Sequence, residues 1–281
     1  MILVFGTTGQ VGLEIAAQAA PGQVLALGRD VADLSDPEAC AAQIHKHKPQ
    51  AVINAAAYTA VDRAEEEEAY VRVINGDAPG AMAHACADLD IPFLHISTDY
   101  VFAGTGAAPY TPSDPVAPAN AYGRTKLLGE EAVRAAGGRH VILRTSWVFS
   151  EHGANFVKTM LRLSETRDTL SIVADQIGGP TPARDIAATL LTMAEAMIAG
   201  HEGGTYHYAG APFTSWDGFA RSIFDQAGRA VAVTGIATAD YPTPATRPLN
   251  SRLDCAALEA DFGITQPDWE RALPSILEAL R

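Results

Sequence analysis

Short apolar runs and helical repeats alternate along the chain from its first residue. MILVF (1–5) is β-rich and ends on a glycine, and VGLEIAAQAA (11–20) then sets Val11, Ile15 and later alanines on one side of a helix. Pro21 and Gly22 stop that helix, QVLALG (23–28) is a second apolar run, and Asp36-Pro37 opens a helix that reaches about His47. AVINAAA (51–57) predicts a third buried strand. AEEEEAYVRVING (64–76) and APGAMAHACADLD (78–90) read as helical, IPFLHIST (91–98) as a fourth strand, and HVILRTSWVF (140–149) as the next, after a helix containing AYGRTKLLGE (121–130). Short apolar strands alternating with helices predict an α/β fold, a doubly wound, Rossmann-like parallel sheet with helices on both faces.

Past residue 150 the alternation loosens. LSIV (170–173) and TYHYAG (205–210) are short strand candidates, helices are expected at 154–166, 183–199, 215–228 and 267–280, and a proline-rich segment, DYPTPATRPLNS, fills 240–251. The pattern divides the chain into a first unit at 1–149 and a smaller C-terminal lobe, mainly 150–281, laid over the carboxyl edge of the sheet. Helix 183–199 is free to return to the first unit.

With 281 residues, 48% hydrophobic and 19% charged, the chain has enough apolar material for a sizeable core. A formal charge of −13 opposes broad binding to nucleic acid or an anionic membrane, but admits an anionic small molecule wherever a few donors converge. Cys40, Cys86 and Cys255 are too scattered for a disulfide framework or a zinc site. There is no cationic leader and no apolar run of roughly 20 residues, so the expected location is the cytoplasm.

The first strand and helix are joined by GTTGQVG, which spaces Gly6, Gly9 and Gly12 at three-residue intervals. In a strand-turn-helix context Gly6 permits the tight turn, Gly9 lets the backbone approach a pyrophosphate, and Gly12 lets helix and strand pack closely. The free N–H groups at the helix start would face the phosphates. An ordinary connection in a chain with 24 glycines has the same look. At the tip of the second strand Arg29 favours a ribose 2′-phosphate and the neighbouring Asp30 a 2′-hydroxyl, which points to NADPH with NADH tolerated. Asp33 and Leu34 would border the adenine, unless they belong only to the loop leading into the next helix.

Tyr122 and Lys126 lie four apart, on one face of the helix. Free tyrosine, with a pKa of about 10, is a sluggish acid near neutrality, and a neighbouring ammonium stabilises its phenolate. Chance alone would place such a pair in roughly one comparable chain in nine, so its weight comes from the glycine turn upstream. STDY (97–100), at the end of the fourth strand, offers Thr98 to a carbonyl oxygen and Asp99 to a sugar hydroxyl, or both residues merely cap a turn.

GTTGQVG, INAAAYTAVD, STDYVF, YGRTK, RTSWVF and RPLNS, in that order, resemble the extended short-chain dehydrogenase/reductase superfamily and, within it, the dTDP-4-dehydrorhamnose reductase family. The resemblance spans essentially the whole chain. It implies that Tyr122 protonates the C4 oxygen of a nucleotide-sugar, with Lys126 tuning it and Thr98 polarising the carbonyl. Gly6, Gly9, Gln10 and Val11 would contact the pyrophosphate. Ala55, Ala56, Ala57 and Tyr58 would line the cofactor, the alanines equally suiting a tight sheet–helix contact. Val61, Asp99 and Trp147 would border the sugar, Trp147 being otherwise a core residue. Arg247 would meet the diphosphate, or stand as a solvated loop arginine.

The implied reaction is NADPH-dependent reduction of dTDP-6-deoxy-L-lyxo-4-hexulose to dTDP-L-rhamnose. A reductase or epimerase of another nucleotide-sugar, or a non-catalytic NADP-binding subunit, are the alternatives. A homodimer is compatible with the resemblance. Some relatives hold magnesium between subunits through glutamates. Glu14 suits one such position, the region of Arg184-Asp185 supplies no clear second, and the metal is left open. No histidine cluster suggests another metal.

Overall fold

The computed structural model describes residues Met1–Arg281. Strands β1 (Ile2–Phe5), β2 (Val24–Leu27), β3 (Ala51–Asn54), β4 (Phe93–Thr98) and β5 (His140–Thr145) form one parallel sheet with a sixth strand, Gly203–His207. The order across it is Gly203–His207, β5, β4, β3, β1, β2. Successive side chains of a strand point to opposite faces. Ile2, Val4, Ile53, Leu94 and Val141 therefore pack on one side, beneath helices Gln10–Gln18 and Ala183–Ile198. Leu3, Phe5, Val52, Phe93 and Ile142 pack on the other, beneath Pro37–His47 and Ala78–Asp88. Burial on both faces explains why the strands read as unbroken apolar runs rather than alternating ones. The chain crosses from one side of β1 to the other between β2 and β3, and a crevice opens at the carboxyl ends of β1 and β3, where doubly wound sheets bind ligands.

Helix Ala183–Ile198 packs on Gln10–Gln18 and contributes Ile186, Leu190 and Met193 to the core under the sheet. TYHYAG supplies not a separate strand of the lobe but the sheet's edge strand, hydrogen-bonded to β5. The lobe has its own core of Phe149, Val157, Phe219, Ile223, Trp269 and Leu273.

The continuous strand expected at 140–149 is interrupted. Trp147 takes φ +50°, and after this left-handed turn Val148–Phe149 pairs with Thr181–Pro182 outside the main sheet. The helix expected at 64–76 is also broken. Val61–Ala64 and Glu68–Arg72 are separate helices, and Val73–Asp77 is a π turn. Pro79 has no N–H to give the Asn75 carbonyl, and that carbonyl instead presses on Gly129, where a Cβ would collide with it. Strand Ala232–Ile236 and helix Ala256–Phe262 are not anticipated by the pattern, the strand because only one of its five residues is buried. No helix is long and apolar enough to cross a membrane.

Candidate active site

The glycine turn is built for close backbone contact. Gly6 has φ +109°, strained for any residue with a Cβ, and a Cβ on Gly12 would strike the Gly6 carbonyl oxygen. The helix that follows has Gly9 as its N-cap, with no side-chain cap and no acid in the first turn. Helices Pro37–His47 and Ala121–Ala135, by contrast, are capped by the side chains of Asp36 and Asn120. The N–H groups of Gln10, Val11 and Gly12 thus remain open to an anion at the positive end of the helix dipole. Gln10 ties this turn to the lobe, its Oε1 accepting from Ser150 Oγ at 2.8 Å and Asn155 Nδ2 at 3.0 Å.

Gly6, Gly9, Gln10 and Val11 line one end of a crevice of about 1140 Å³. That exceeds the usual range of single small-ligand pockets, roughly 300–1,000 Å³, and with the uncapped glycine cradle it fits a dinucleotide lying beside a second ligand. Arg29, Asp33, Leu34, Ala55, Ala56, Ala57 and Tyr58 line the same space. Arg29 Nε donates to Asp33 Oδ2 at 2.9 Å and Nη2 to the Tyr70 hydroxyl at 3.0 Å, so the guanidinium is held at the rim while remaining largely exposed. The segment after β3 is pinned from both sides. Ala56 N donates to Asn54 Oδ1 at 3.1 Å, and Asn75 exchanges two hydrogen bonds with the Tyr58 backbone, at 2.9 and 3.0 Å.

The far end brings Thr98, Asp99, Tyr122 and Lys126 to the crevice wall. Thr98 and Asp99 follow from the end of β4. Tyr122 and Lys126 come from the helix whose start is fixed by Asn120 and by Gly123, packed against the Tyr100 carbonyl. The Tyr122 ring meets Tyr100 edge-on at 5.5 Å. Burial, then the Asp99 carboxylate, push the Tyr122 phenol above its ordinary range, against the Thr98 hydroxyl beside it. The phenol therefore keeps its proton throughout the neutral range. Lys126 is turned toward β4, its Nζ 2.7 Å from the Ile96 carbonyl oxygen and 3.1 Å from His95 Nε2. Its effect on Tyr122 is not a direct hydrogen bond to the phenol.

Asp99 is buried, accepts from Thr98 Oγ1 at 3.1 Å, and leaves Oδ2 without a donor. Burial pushes its carboxyl up to about 6, the Ser251 and Thr98 hydroxyls pulling the other way. The Thr145 hydroxyl is also buried without a partner on the crevice wall. Two residues of one crevice wall thus hold unsatisfied polar atoms, which a hydroxyl-rich ligand could complete.

Val61 and Trp147 border the outer part of the crevice. Trp147 is half-buried and also stacks on Trp216 at 3.6 Å, over Gly178, so packing and lining coincide in one side chain. Arg247 is not a solvated loop residue and does not itself line the crevice. Its Nη2 donates to Asp62 Oδ2 at 2.7 Å, tying the proline-rich segment to helix Val61–Ala64.

Sequence reasoning passed over the polar layer behind the site. Glu130 receives two hydrogen bonds from Arg144, at 2.8 and 2.7 Å, and one from Ser97 at 2.6 Å. Polar residues two apart in a strand, His95 and Ser97, meet polar residues four apart in the helix, Lys126 and Glu130. The matched periods were a readable signal. Glu14 lies with Glu151 and His152, their ligand atoms within 4.8 Å of one another. His152 Nε2 is 3.6 Å from Glu14 Oε1, the distance of an ion pair, and nothing else at this cluster points to a cation.

The family model described as RmlD substrate binding domain matches residues 1–281. A dTDP-4-dehydrorhamnose reductase of Burkholderia thailandensis is 48% identical over 97% of this chain and 96% of its own length. A solved dTDP-4-dehydrorhamnose reductase from Clostridium acetobutylicum superposes with a TM-score of 0.93 at 37% identity, covering 99% of both chains. Another from Bacillus anthracis, in complex with NADP, gives 0.92 at 32% identity over 99% of this chain and 98% of that one.

Proposed function

We propose, from the premise that this chain belongs to the dTDP-4-dehydrorhamnose reductase family, that it reduces the C4 carbonyl of dTDP-6-deoxy-L-lyxo-4-hexulose to dTDP-L-rhamnose with NADPH. The observation that carries the reading is a single crevice running from the uncapped glycine turn to the protonated Tyr122 phenol. When bound there, the reduced dinucleotide supplies the hydride that goes to C4.

The chain's own residues do the rest. Gly9, Gln10, Val11 and Gly12 offer backbone N–H groups to the pyrophosphate, Gly6 makes the turn that lets it approach while its own N–H stays bonded to the Leu27 carbonyl, and Ala55, Ala56, Ala57 and Tyr58 give the coenzyme a close-fitting wall. Thr98, turning its single hydroxyl proton from Asp99 Oδ1 to the substrate's C4 oxygen, concentrates positive potential where negative charge develops. Tyr122 gives its hydroxyl proton to that oxygen as the C4–H bond forms, becoming a phenolate, and Lys126 supports the phenolate's reprotonation. Asp99 accepts from a sugar hydroxyl, and Val61 and Trp147 close over the ring. Arg247, held by Asp62, offers its remaining N–H groups to the diphosphate. Residues 1–149 serve as the dinucleotide unit, completed by helix Ala183–Ile198 and strand Gly203–His207, with most of 150–281 as the substrate lobe.

The direct test follows NADPH oxidation at 340 nm (an assay wavelength) with this sugar nucleotide between pH 6 and 8. Turnover to dTDP-L-rhamnose is expected, and none at any pH in the window overturns the reading. The position of Arg29 at the rim gives a second expectation. Arg29→Ala should raise KM for NADPH roughly tenfold, the size of one lost charge-assisted hydrogen bond, and leave KM for NADH nearly unchanged. Equal losses with both coenzymes would remove Arg29 from 2′-phosphate recognition.

A further inference from the structure

Behind the crevice, three polar side chains form a chain of hydrogen bonds that the reductase reading does not use. Asn54 closes β3, His95 sits in β4, and both are 1% exposed. The Asn54 carboxamide has one orientation. Its Oδ1 accepts from Ala56 N at 3.1 Å, which leaves Nδ2 facing His95 Nδ1 at 3.2 Å. A neutral imidazole carries one proton, and an Nδ1 that accepts from Asn54 must leave that proton on Nε2. Nε2 in turn lies 3.1 Å from Lys126 Nζ.

Here the donors conflict. An ammonium has three N–H donors and no acceptor, so a charged Lys126 would face the Nε2–H donor to donor. The uncharged amine has a lone pair to receive it, and can still donate to the Ile96 carbonyl oxygen at 2.7 Å. Turning the Asn54 amide over would break its bond to Ala56, and a second proton on His95 would set a cation beside Lys126 in a buried site.

We infer that Asn54 and His95 are positioning residues for the proton-transfer site: Asn54 selects the Nε2–H tautomer of His95, and that N–H is a partner from which only the uncharged amine of Lys126 can accept. Lys126 then loads and unloads a proton in each cycle instead of standing as a fixed cation.

The surroundings agree. Burial, then the Lys126 charge, hold His95 well below its ordinary range, so the ring stays neutral. Burial also pulls Lys126 down to about 8, against the attraction of Glu130 one turn along the helix. The Glu130 carboxylate is already taken up by Arg144, Arg134 and Ser97. Tyr122, one turn the other way, keeps its phenol protonated, and Asp99 beyond the end of β4 is itself hard to ionise.

The hydrogen-bond chain belongs to the protein by itself, and only its consequence for turnover rests on the reductase reading. The test is therefore NMR on the ligand-free protein. Long-range ¹H–¹⁵N correlation reports which nitrogen of each histidine carries the proton, and His95→Gln identifies the His95 signals by their loss. At pH 9 the expected result is His95 protonated on Nε2; protonation on Nδ1 overturns the inference, and sequential assignment of the parent spectrum identifies the ring should the variant fail to fold. ¹³Cε-lysine spectra between pH 6 and 10 should show the Lys126 midpoint about one pH unit higher in His95→Gln, whose carboxamide oxygen can accept from an ammonium. An unchanged midpoint would make His95 merely structural and overturn the inference too. A protein that passes both tests but leaves NADPH unconsumed would sink the reductase reading alone.

Discussion

Tyr122→Phe is expected to lower kcat for the sugar nucleotide by about 10³-fold, within the range of a lost general acid. The substitution removes one oxygen and keeps the ring, so the edge-on contact with Tyr100 survives. The uncapped glycine turn lies at the other end of the crevice, so the Kd for NADPH should stay within about twofold of the parent. Two measurements separate the outcomes: stopped-flow hydride transfer for chemistry and fluorescence titration for coenzyme binding. A variant with kcat within tenfold of the parent would show that another group protonates the oxygen. Because burial and Asp99 keep the phenol protonated, the parent's rate should not fall at high pH through loss of the Tyr122 proton. Any alkaline limb between pH 7 and 9 is expected to follow Lys126 instead, whose amine sits at about 8. Ammonium there supports the phenolate, so activity should fall as pH rises through that value.

Glu130→Leu is expected to destabilise the fold by about 3–5 kcal/mol, read from the urea midpoint, because it strands a buried guanidinium. Arg144 is 2% exposed and stacks over Phe102 at 4.9 Å, so its charge is shielded from solvent. Burial works against the Glu130 carboxylate, but the hydrogen bonds and charge of Arg144, with Ser97 and Arg134, outweigh it and hold the group below the usual carboxylate range. The stability it confers is therefore present at neutral pH and lost as pH falls through the native pKa. The gap between parent and variant should narrow in acid. Glu130→Leu combined with Arg144→Met should cost less than Glu130→Leu alone, since no unpaired charge remains. An additive or larger loss would mean that the pair matters through packing rather than through compensation of charge.

How much of this was legible in the amino-acid order varies along the chain. The strands of the parallel sheet and most of the helices can be read from apolar runs and their punctuation, because burial on both faces leaves a local mark. The glycine turn and the Tyr122–Lys126 spacing are local too, and the crevice gathers both. The break at Trp147 is harder to see. An apolar run carries no sign that one residue will adopt φ +50°, since that conformation is stabilised by distant partners, Trp216 and the strand Thr181–Pro182. The π turn at Val73–Asp77 likewise depends on Gly129, more than fifty residues away, accepting the Asn75 carbonyl.

The sequence by itself determined the order of strands and helices, the glycine turn and the chemistry of the residues set on one helix face, since each depends on neighbours within a few positions. The tertiary structure alone decided which polar groups meet across elements: Asn54 with His95, His95 with Lys126, Glu130 with Arg144, and Asp62 with Arg247. Where those partners are buried, the pairing settles who donates and who accepts. Their partners lie 14 to 185 positions apart, so a local period can mark a polar face but cannot name its partner.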